Sequence, residues 1–372
     1  MNLNVVGGGL TGLAASIDAA ERGWRVTVHE ARSTLGGRAA TLNSAYRANR
    51  GPHALYADGP LWSWLQQRGL TPSTVSPSGE TLFRVGGQVQ PLPPTVGQAI
   101  ATLPPTAPVD QTFRAWLNEH IDDTKTVEAV IGLTFIVTYH HDPGQLSAAF
   151  VHERLRRGGS HVRYVEGGWG QLIDSLAHRA TELGVEVRHR APMTVIPHEP
   201  TLLTATMSAA RHLTQDPSLH WTGSRVALVD LGLSPHAAIG WFRIFDLDHR
   251  IYAARYTHVD PSLAPPGHHL IQIAASIEPG EAFSAAVGRI HGMLDATSRR
   301  WPDHVHWKRS YELTNETGAV DHPGSTWHDR PAVMRTPTLA IATDQSAAPG
   351  LLAEVAHNAT QIALTALDIP RG

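Results

Sequence analysis

Leu3-Asn4-Val5-Val6-Gly7-Gly8-Gly9-Leu10-Thr11-Gly12-Leu13-Ala14-Ala15-Ser16-Ile17, continued after Gly23 by Arg25-Val26-Thr27-Val28-His29-Glu30, is the stretch on which the fold turns. Residues 3–6 are a short apolar strand. Gly7, Gly9 and Gly12 fit G-x-G-x-x-G, and Leu10, Leu13, Ala14, Ile17 and Ala20 then recur at helical spacing. Gly23 closes that helix, residues 25–28 are a second strand, and Glu30 stands just past its end, twenty-three residues after Gly7.

Each position has a physical task. Gly7 permits the tight strand-to-helix turn, Gly9 lets a pyrophosphate approach the backbone, and Gly12 lets the helix lie close to the strand. The first-turn N–H groups, at Leu10 and Thr11, have no partner within the helix and carry its partial positive charge. Glu30 suits the two ribose hydroxyls of an adenosine and repels a 2′-phosphate, which disfavours NADP. Strand, loop, helix, strand and acid in this order predict a dinucleotide site. A colourless NAD-only dehydrogenase leaves the glycines and acid of the following segments unused.

Glu30-Ala31-Arg32 leads into Leu35-Gly36-Gly37-Arg38. This run resembles the flavoprotein superfamily that contains amine oxidases, protoporphyrinogen oxidase and phytoene desaturases. Asn49-Arg50-Gly51-Pro52-His53-Ala54-Leu55-Tyr56 resembles a stretch that passes the flavin ring in phytoene-dehydrogenase-like proteins. Gly167-Gly168-Trp169 resembles the turn that returns the chain to the FAD domain, with Leu172, Leu176 and Ala180 on the buried face of the following helix. Thr343-Asp344, then Pro349-Gly350-Leu351-Leu352, resembles the superfamily's C-terminal flavin segment, with Thr343 where a glycine is usual. The resemblance implies FAD, non-covalently held, and contacts from Gly36, Gly37, Arg38, Gly51, Pro52, His53, Met193, Asp344, Gly350, Leu351 and Leu352, with Ala31 and Arg32 beside the ribose. Thr343 is expected to crowd the pyrophosphate.

The fold expected is α/β: a Rossmann-like FAD-binding domain of the GR2 type with a mixed α+β substrate domain inserted. Residues 1–75, 160–215 and 335–372 form the first, and 76–159 and 216–334 the second. Residues 82–89 read as a hairpin turning at Gly86-Gly87, 127–139 as one helix, Ser147 as the cap of a helix to Arg157, and 283–300 as a helix. Residues 225–233, 241–245, 251–256, 270–276 and 338–342 read as strands. Trp301, Trp307 and Trp327 are candidate cavity walls, although buried aromatic packing is the safer reading for any one of them.

Composition narrows the function. The 372 residues suggest roughly two to three domains. Thirty basic against 33 acidic residues offer no basic excess for nucleic acid. There is no cysteine, so thiolate metal sites, a cysteinyl flavin link and Cys nucleophiles do not arise. The 23 histidines show no metal-ligand spacing, and no metal is expected: Arg156 stands where the His152-Glu153 start of a zinc-protease helix needs its second His. No apolar run approaches the ~20 residues of a membrane span. The N-terminus runs straight into the first strand without a signal-like segment, so a cytoplasmic protein is expected. The function expected is two-electron dehydrogenation of a small organic molecule by hydride transfer to flavin N5, with His53, Tyr56, Tyr139 and His140 as candidates for proton handling or substrate contact. The alternatives are an oxygen-using amine oxidase, whose usual lysine near N5 only Lys125 or Lys308 could supply, with Lys308 the candidate, and a non-catalytic FAD-fold scaffold.

Overall fold

The structure, a computed structural model, describes residues 1–158, 161–219 and 223–368. The domain boundary expected at residues 159/160, and the last residues of the 335–372 segment, lie outside the described residues. The opening strand Asn2–Val6 sits inside a six-stranded sheet in the order Met334–Thr336, Leu339–Ile341, Thr201–Leu203, Asn2–Val6, Arg25–His29, Glu186–Arg188. All neighbours run parallel except the first pair. Parallel strands are covered on both faces, and Leu3, Val5, Val26, Val28 and Leu202 are buried accordingly. The Leu10–Glu21 helix packs on this sheet, with the Gly170–Glu182 and Ala353–Leu367 helices beside it. Leu172, Leu176 and Ala180 are fully buried there.

A second, mixed sheet has seven strands: Val305–Thr314, Arg225–Leu233, His269–Ile277, Ile251–Arg255, Arg243–Asp246, Thr81–Val85 and Gln88–Gln90. Its two faces do different work. Alternate residues Val229, Leu231 and Ile273 meet Ile290, Met293 and Leu294 of the Phe283–Thr297 helix. The intervening residues Leu228 and Ala274 face Tyr46, Phe135, Tyr164, Tyr252 and Tyr256. That second face positions the candidate site. A small antiparallel sheet joins the two bodies, with Val162–Val165 between Leu55–Tyr56 and Thr74–Val75.

Gly86 and Gly87 both take positive φ, 57° and 76°, as a two-residue hairpin turn requires. Elsewhere the structure departs from the sequence reading. The helix expected over 127–139 is two pieces, Thr124–Leu133 and Phe135–Thr138. Thr134 and Thr138 turn their hydroxyls onto the carbonyls of Ile131 and Thr134, which competes with helix continuation, and Tyr139 ends the segment at φ 54°. Ser147 precedes the Ala148–Arg157 helix without capping it; its hydroxyl donates to the Val109 carbonyl at 3.0 Å. Trp301 is core, packed under the Phe283–Thr297 helix with its indole N–H on Asp295; Trp307 stacks on Tyr46 and Trp327 on His328. His152 is buried against Trp116. Among the described residues no helix is long and apolar enough to cross a membrane.

Candidate functional site

The glycine loop leaves strand Asn2–Val6 at its C-terminal end, where ligands of parallel α/β sheets bind. A Cβ on Gly12 would lie 1.9 Å from the Gly7 carbonyl oxygen and 2.7 Å from Thr204 Oγ1, so only glycine lets the helix sit this close. Gly9 differs: an added Cβ would find one atom within 4 Å, the Gly36 carbonyl at 3.7 Å. The space in front of Gly9 is open to a ligand. No side chain caps the helix there, and no acidic residue occupies its first turn. Glu30 is buried, with one oxygen accepting from the Gly8 N–H and the other from the Arg32 N–H, both at 2.8 Å. Each oxygen keeps a lone pair for a ribose hydroxyl. These residues fit a dinucleotide.

Gly36 donates its N–H to the Gly8 carbonyl at 2.8 Å, so the Gly36-Gly37-Arg38 loop lies on the Gly7–Gly9 loop. Arg38 reaches Asp344 with both Nη atoms, and Asp344 raises the guanidinium pKa. Two residues expected to touch the same cofactor thus meet each other. Thr343 stands directly before Asp344. It is buried, its Oγ1 accepts from the Gln345 N–H at 3.1 Å and lies 3.4 Å from Ser346 Oγ, and its hydroxyl is used inside its own turn. At the next turn the Leu351 N–H, expected to face the flavin, is already taken by Glu354 Oε2 at 3.0 Å. Glu354 is held in turn by both Nη atoms of Arg157. Leu352 sits at φ 49°, an uncommon conformation for a residue with a side chain. Ala31 and Arg32 lie exposed just past strand Arg25–His29, and Met193 packs against the apolar cluster that includes Val6, Leu203 and Ile341.

His53, Tyr56 and Tyr139 come together. The Tyr139 hydroxyl donates to the Pro52 carbonyl at 3.3 Å. The His53 ring donates through Nδ1–H to the Gly51 carbonyl at 2.8 Å, because a carbonyl only accepts, and the Arg38 backbone is a second polar neighbour of the ring. Burial lowers the His53 pKa, so the ring is neutral at pH 7. Burial also pushes the Tyr56 hydroxyl up to about 12 and that of Tyr139 upward. His140 is placed apart: its Nδ1 contacts the N–H and carbonyl of Asp142 within its own turn, and its ring lies on His141. Burial brings its pKa down to about 4.

The sequence reading missed several partners. The His53 N–H donates to the Tyr256 hydroxyl at 3.2 Å, and the His53 ring meets Trp169 edge-on. Asn49 is a hub. Its side-chain oxygen accepts from the Trp169 N–H and the Thr41 hydroxyl, while its carbonyl accepts from Gln272 and Arg309. Gln272 and Arg309 both bind the fully buried Asp230. A lone Asp inside the apolar run Val226–Leu231 was the available signal. Lys308 does not fill the N5 position considered for it. It pairs with Leu231 in the sheet and reaches His291 at 3.1 Å on the Phe283–Thr297 helix, the opposite face. Lys125 is exposed on the Thr124–Leu133 helix. Among the described residues no group of three or more acidic or histidine side chains is placed to hold a metal.

Residues 5–68 match the NAD(P)-binding Rossmann-like domain family. Over 105 residues the chain is 31% identical to a coproporphyrinogen III oxidase of Propionibacterium freudenreichii subsp. freudenreichii, a match that spans 27% of this chain and 20% of that protein. An oxidoreductase from Methanosarcina mazei superposes with a TM-score of 0.76 at 17% identity, covering 98% of this chain and all (100%) of the other. The cyclohexylamine oxidase of Brevibacterium oxydans IH-35A superposes with a TM-score of 0.71 at 15% identity, covering 98% of each chain. The chain carries a Rossmann-type dinucleotide-binding domain and, over nearly its whole length, shares the fold of these oxidoreductase and amine oxidase structures.

Proposed function

We propose that the chain is an FAD-dependent oxidoreductase that holds its flavin without a covalent link and dehydrogenates a small organic substrate. The observation that carries this reading is the meeting of the two chain ends: Arg38, on the loop beside Gly9, is bound to Asp344 of the C-terminal turn. A Rossmann domain for NAD alone has no use for that junction. When bound, FAD supplies the two-electron acceptor for a substrate C–H bond.

The chain's own residues supply binding, orientation and a dry site. Glu30 receives the ribose hydroxyls, and the first-turn N–H groups of the Leu10–Glu21 helix receive the pyrophosphate. Asn49, braced by Gln272 and Arg309, sets the path of Gly51-Pro52-His53. Tyr139 and Tyr256 hold that path from the substrate side and keep water from it. His53, kept neutral by burial, is the candidate for proton handling, and the raised pKa values keep Tyr56 and Tyr139 protonated as donors. With neither lysine near this segment, a dehydrogenase or desaturase is favoured over an oxygen-using amine oxidase. The inward-turned Thr343 hydroxyl removes one motive for a non-catalytic scaffold.

The test is the visible spectrum of freshly purified protein, followed by anaerobic titration with candidate donors. A yellow protein that releases FAD on heating and bleaches with a donor is expected. No released flavin, together with no binding of added FAD, would sink the reading.

A further inference from the structure

The strand Val305–Thr314 is the last of its sheet. It pairs with Arg225–Leu233 on one side, and among the described residues no strand pairs with its other side. At 10 residues it is about twice the usual strand length. The Asn315 N–H donates to the Ser224 carbonyl at 3.2 Å, which continues the register that sets Arg225 opposite Thr314. Hydrogen-bonded and open pairs alternate along an antiparallel ladder. Arg309, Tyr311 and Leu313 therefore turn their backbone groups inward, and Lys308, Ser310, Glu312 and Thr314 turn theirs outward. No backbone hydrogen bond from another part of the described chain reaches those outward groups. Lys308, Ser310 and Thr314 are exposed, and Trp307, Arg309, Tyr311 and Leu313, on the other face, are only half-buried.

An open edge of this length is a template for another strand. We propose that it pairs with the same strand of a second copy of this chain, antiparallel across a twofold axis at Ser310, so that the two sheets become one. Under a twofold axis the strand meets itself, and outward groups meet outward groups only when the axis passes through a residue and not between two. At Lys308, Arg309 or Glu312 the axis would face a charge with its own copy, which is destabilising. At Tyr311 it would leave Lys308 against Thr314 and Arg309 against Leu313. At Ser310 it sets Lys308 against Glu312, Arg309 against Tyr311 and Trp307 against Leu313: opposite charges, a cation beside a ring, and two apolar side chains. Glu312 is also held by Arg225 of its own chain at 2.8 Å, and a carboxylate has acceptor sites for both cations. Lysine on an edge strand commonly blocks such pairing; in this register it meets an acid. Nothing in the pairing depends on the cofactor.

The test is sedimentation of the purified chain over a concentration series, with single cysteines as a ruler. A concentration-dependent dimer is expected. The chain has no cysteine of its own, so Ser310→Cys is expected to close one disulfide between copies under mild oxidation, because hydrogen-bonded antiparallel partners have Cα atoms about 5.5 Å apart, within disulfide reach. Thr314→Cys, which would face His306, is expected to stay uncrosslinked. Ser310→Pro removes an N–H that makes no bond within the chain, as proline on an edge strand can. It is expected to weaken the dimer roughly ten- to thirtyfold, the value of two backbone hydrogen bonds across the axis. Lys308→Ala is expected to weaken it less. A monomer at every concentration overturns the proposal, as does a dimer that crosslinks through Thr314→Cys and not Ser310→Cys, or one that Ser310→Pro leaves intact. So does tighter association of Lys308→Ala, which makes Lys308 a guard of the edge. The wild-type and cysteine arms stand even if the proline variant fails to fold.

Discussion

Arg38 and Asp344 stand 306 residues apart in the chain and form a two-pronged ion pair, Nη1 to Oδ2 at 2.7 Å and Nη2 to Oδ1 at 2.9 Å. Arg38 Nη1 also donates to the Glu316 carbonyl, which ties in a third segment. The pair lies beside the glycine loop, and its Arg38 side chain is 36% exposed. Partly exposed pairs contribute about 1 kcal/mol or less to stability. Asp344→Asn is therefore expected to shift the melting temperature little and to weaken FAD binding more than tenfold, because Arg38 loses its orientation. Reconstitution followed by flavin fluorescence measures both; wild-type FAD affinity would make the pair purely structural.

Two glycines of one motif are expected to fail differently. Gly12→Ala places a methyl 1.9 Å from the Gly7 carbonyl and forces helix from strand, so soluble expression or stability collapses. Gly9→Ala has room and an ordinary φ of −82°, so the chain folds with near-native circular dichroism. Its methyl occupies the ligand's space, and flavin content falls to near zero. A well-folded Gly9→Ala that remains yellow contradicts the assignment of that space.

Glu30 can be weighed by urea unfolding of apoprotein. Glu30→Ala leaves the Gly8 and Arg32 N–H groups without acceptors, at roughly 1–3 kcal/mol for each that is buried. Only Gly8 is enclosed, so a loss of about 2 kcal/mol is expected. Glu30→Gln keeps one acceptor oxygen and loses less. Equal stability of all three would mean that the carboxylate serves the ligand alone.

Stability is expected to fall on acidification below neutrality, partly through His140. Its folded pKa, about 4, lies below the ordinary histidine value of 6.5, with burial the first cause. The unfolded chain takes the proton first, so the stability present above pH ~6.5 is lost as pH falls toward 4. Allowing for partial exposure, the loss is about 2 kcal/mol. His53 and His357 are shifted in the same direction and add to it. Denaturant midpoints at several pH values should show a shallower slope in His140→Asn; an unchanged slope removes His140 from the account.

How far the residues themselves announced this molecule depends on the range of the interactions. The first strand, helix and second strand were readable because glycine spacing, helical periodicity and the trailing Glu30 are local. The hairpin at Gly86-Gly87 was readable for the same reason. Strand Val305–Thr314 was not: it is a half-exposed edge strand whose Lys308 and Arg309 hide an apolar alternation. The break at Thr134 was missed because periodicity counts apolar residues and not threonine hydroxyls that draw off backbone carbonyls.

Local chemistry, then, was determined by the order of amino acids alone: a glycine turn at Gly7, Gly9 and Gly12, an acid at Glu30 just past the second strand, and a loop at Gly36-Gly37. Only the tertiary structure decided which charges meet. It turned Lys308 away from the site and Arg309 toward it by one step of strand alternation. It set Tyr256 on His53 and closed Arg38 onto Asp344. Those outcomes depend on contacts between residues tens to hundreds of positions apart, and their energies come from burial, which no local pattern records.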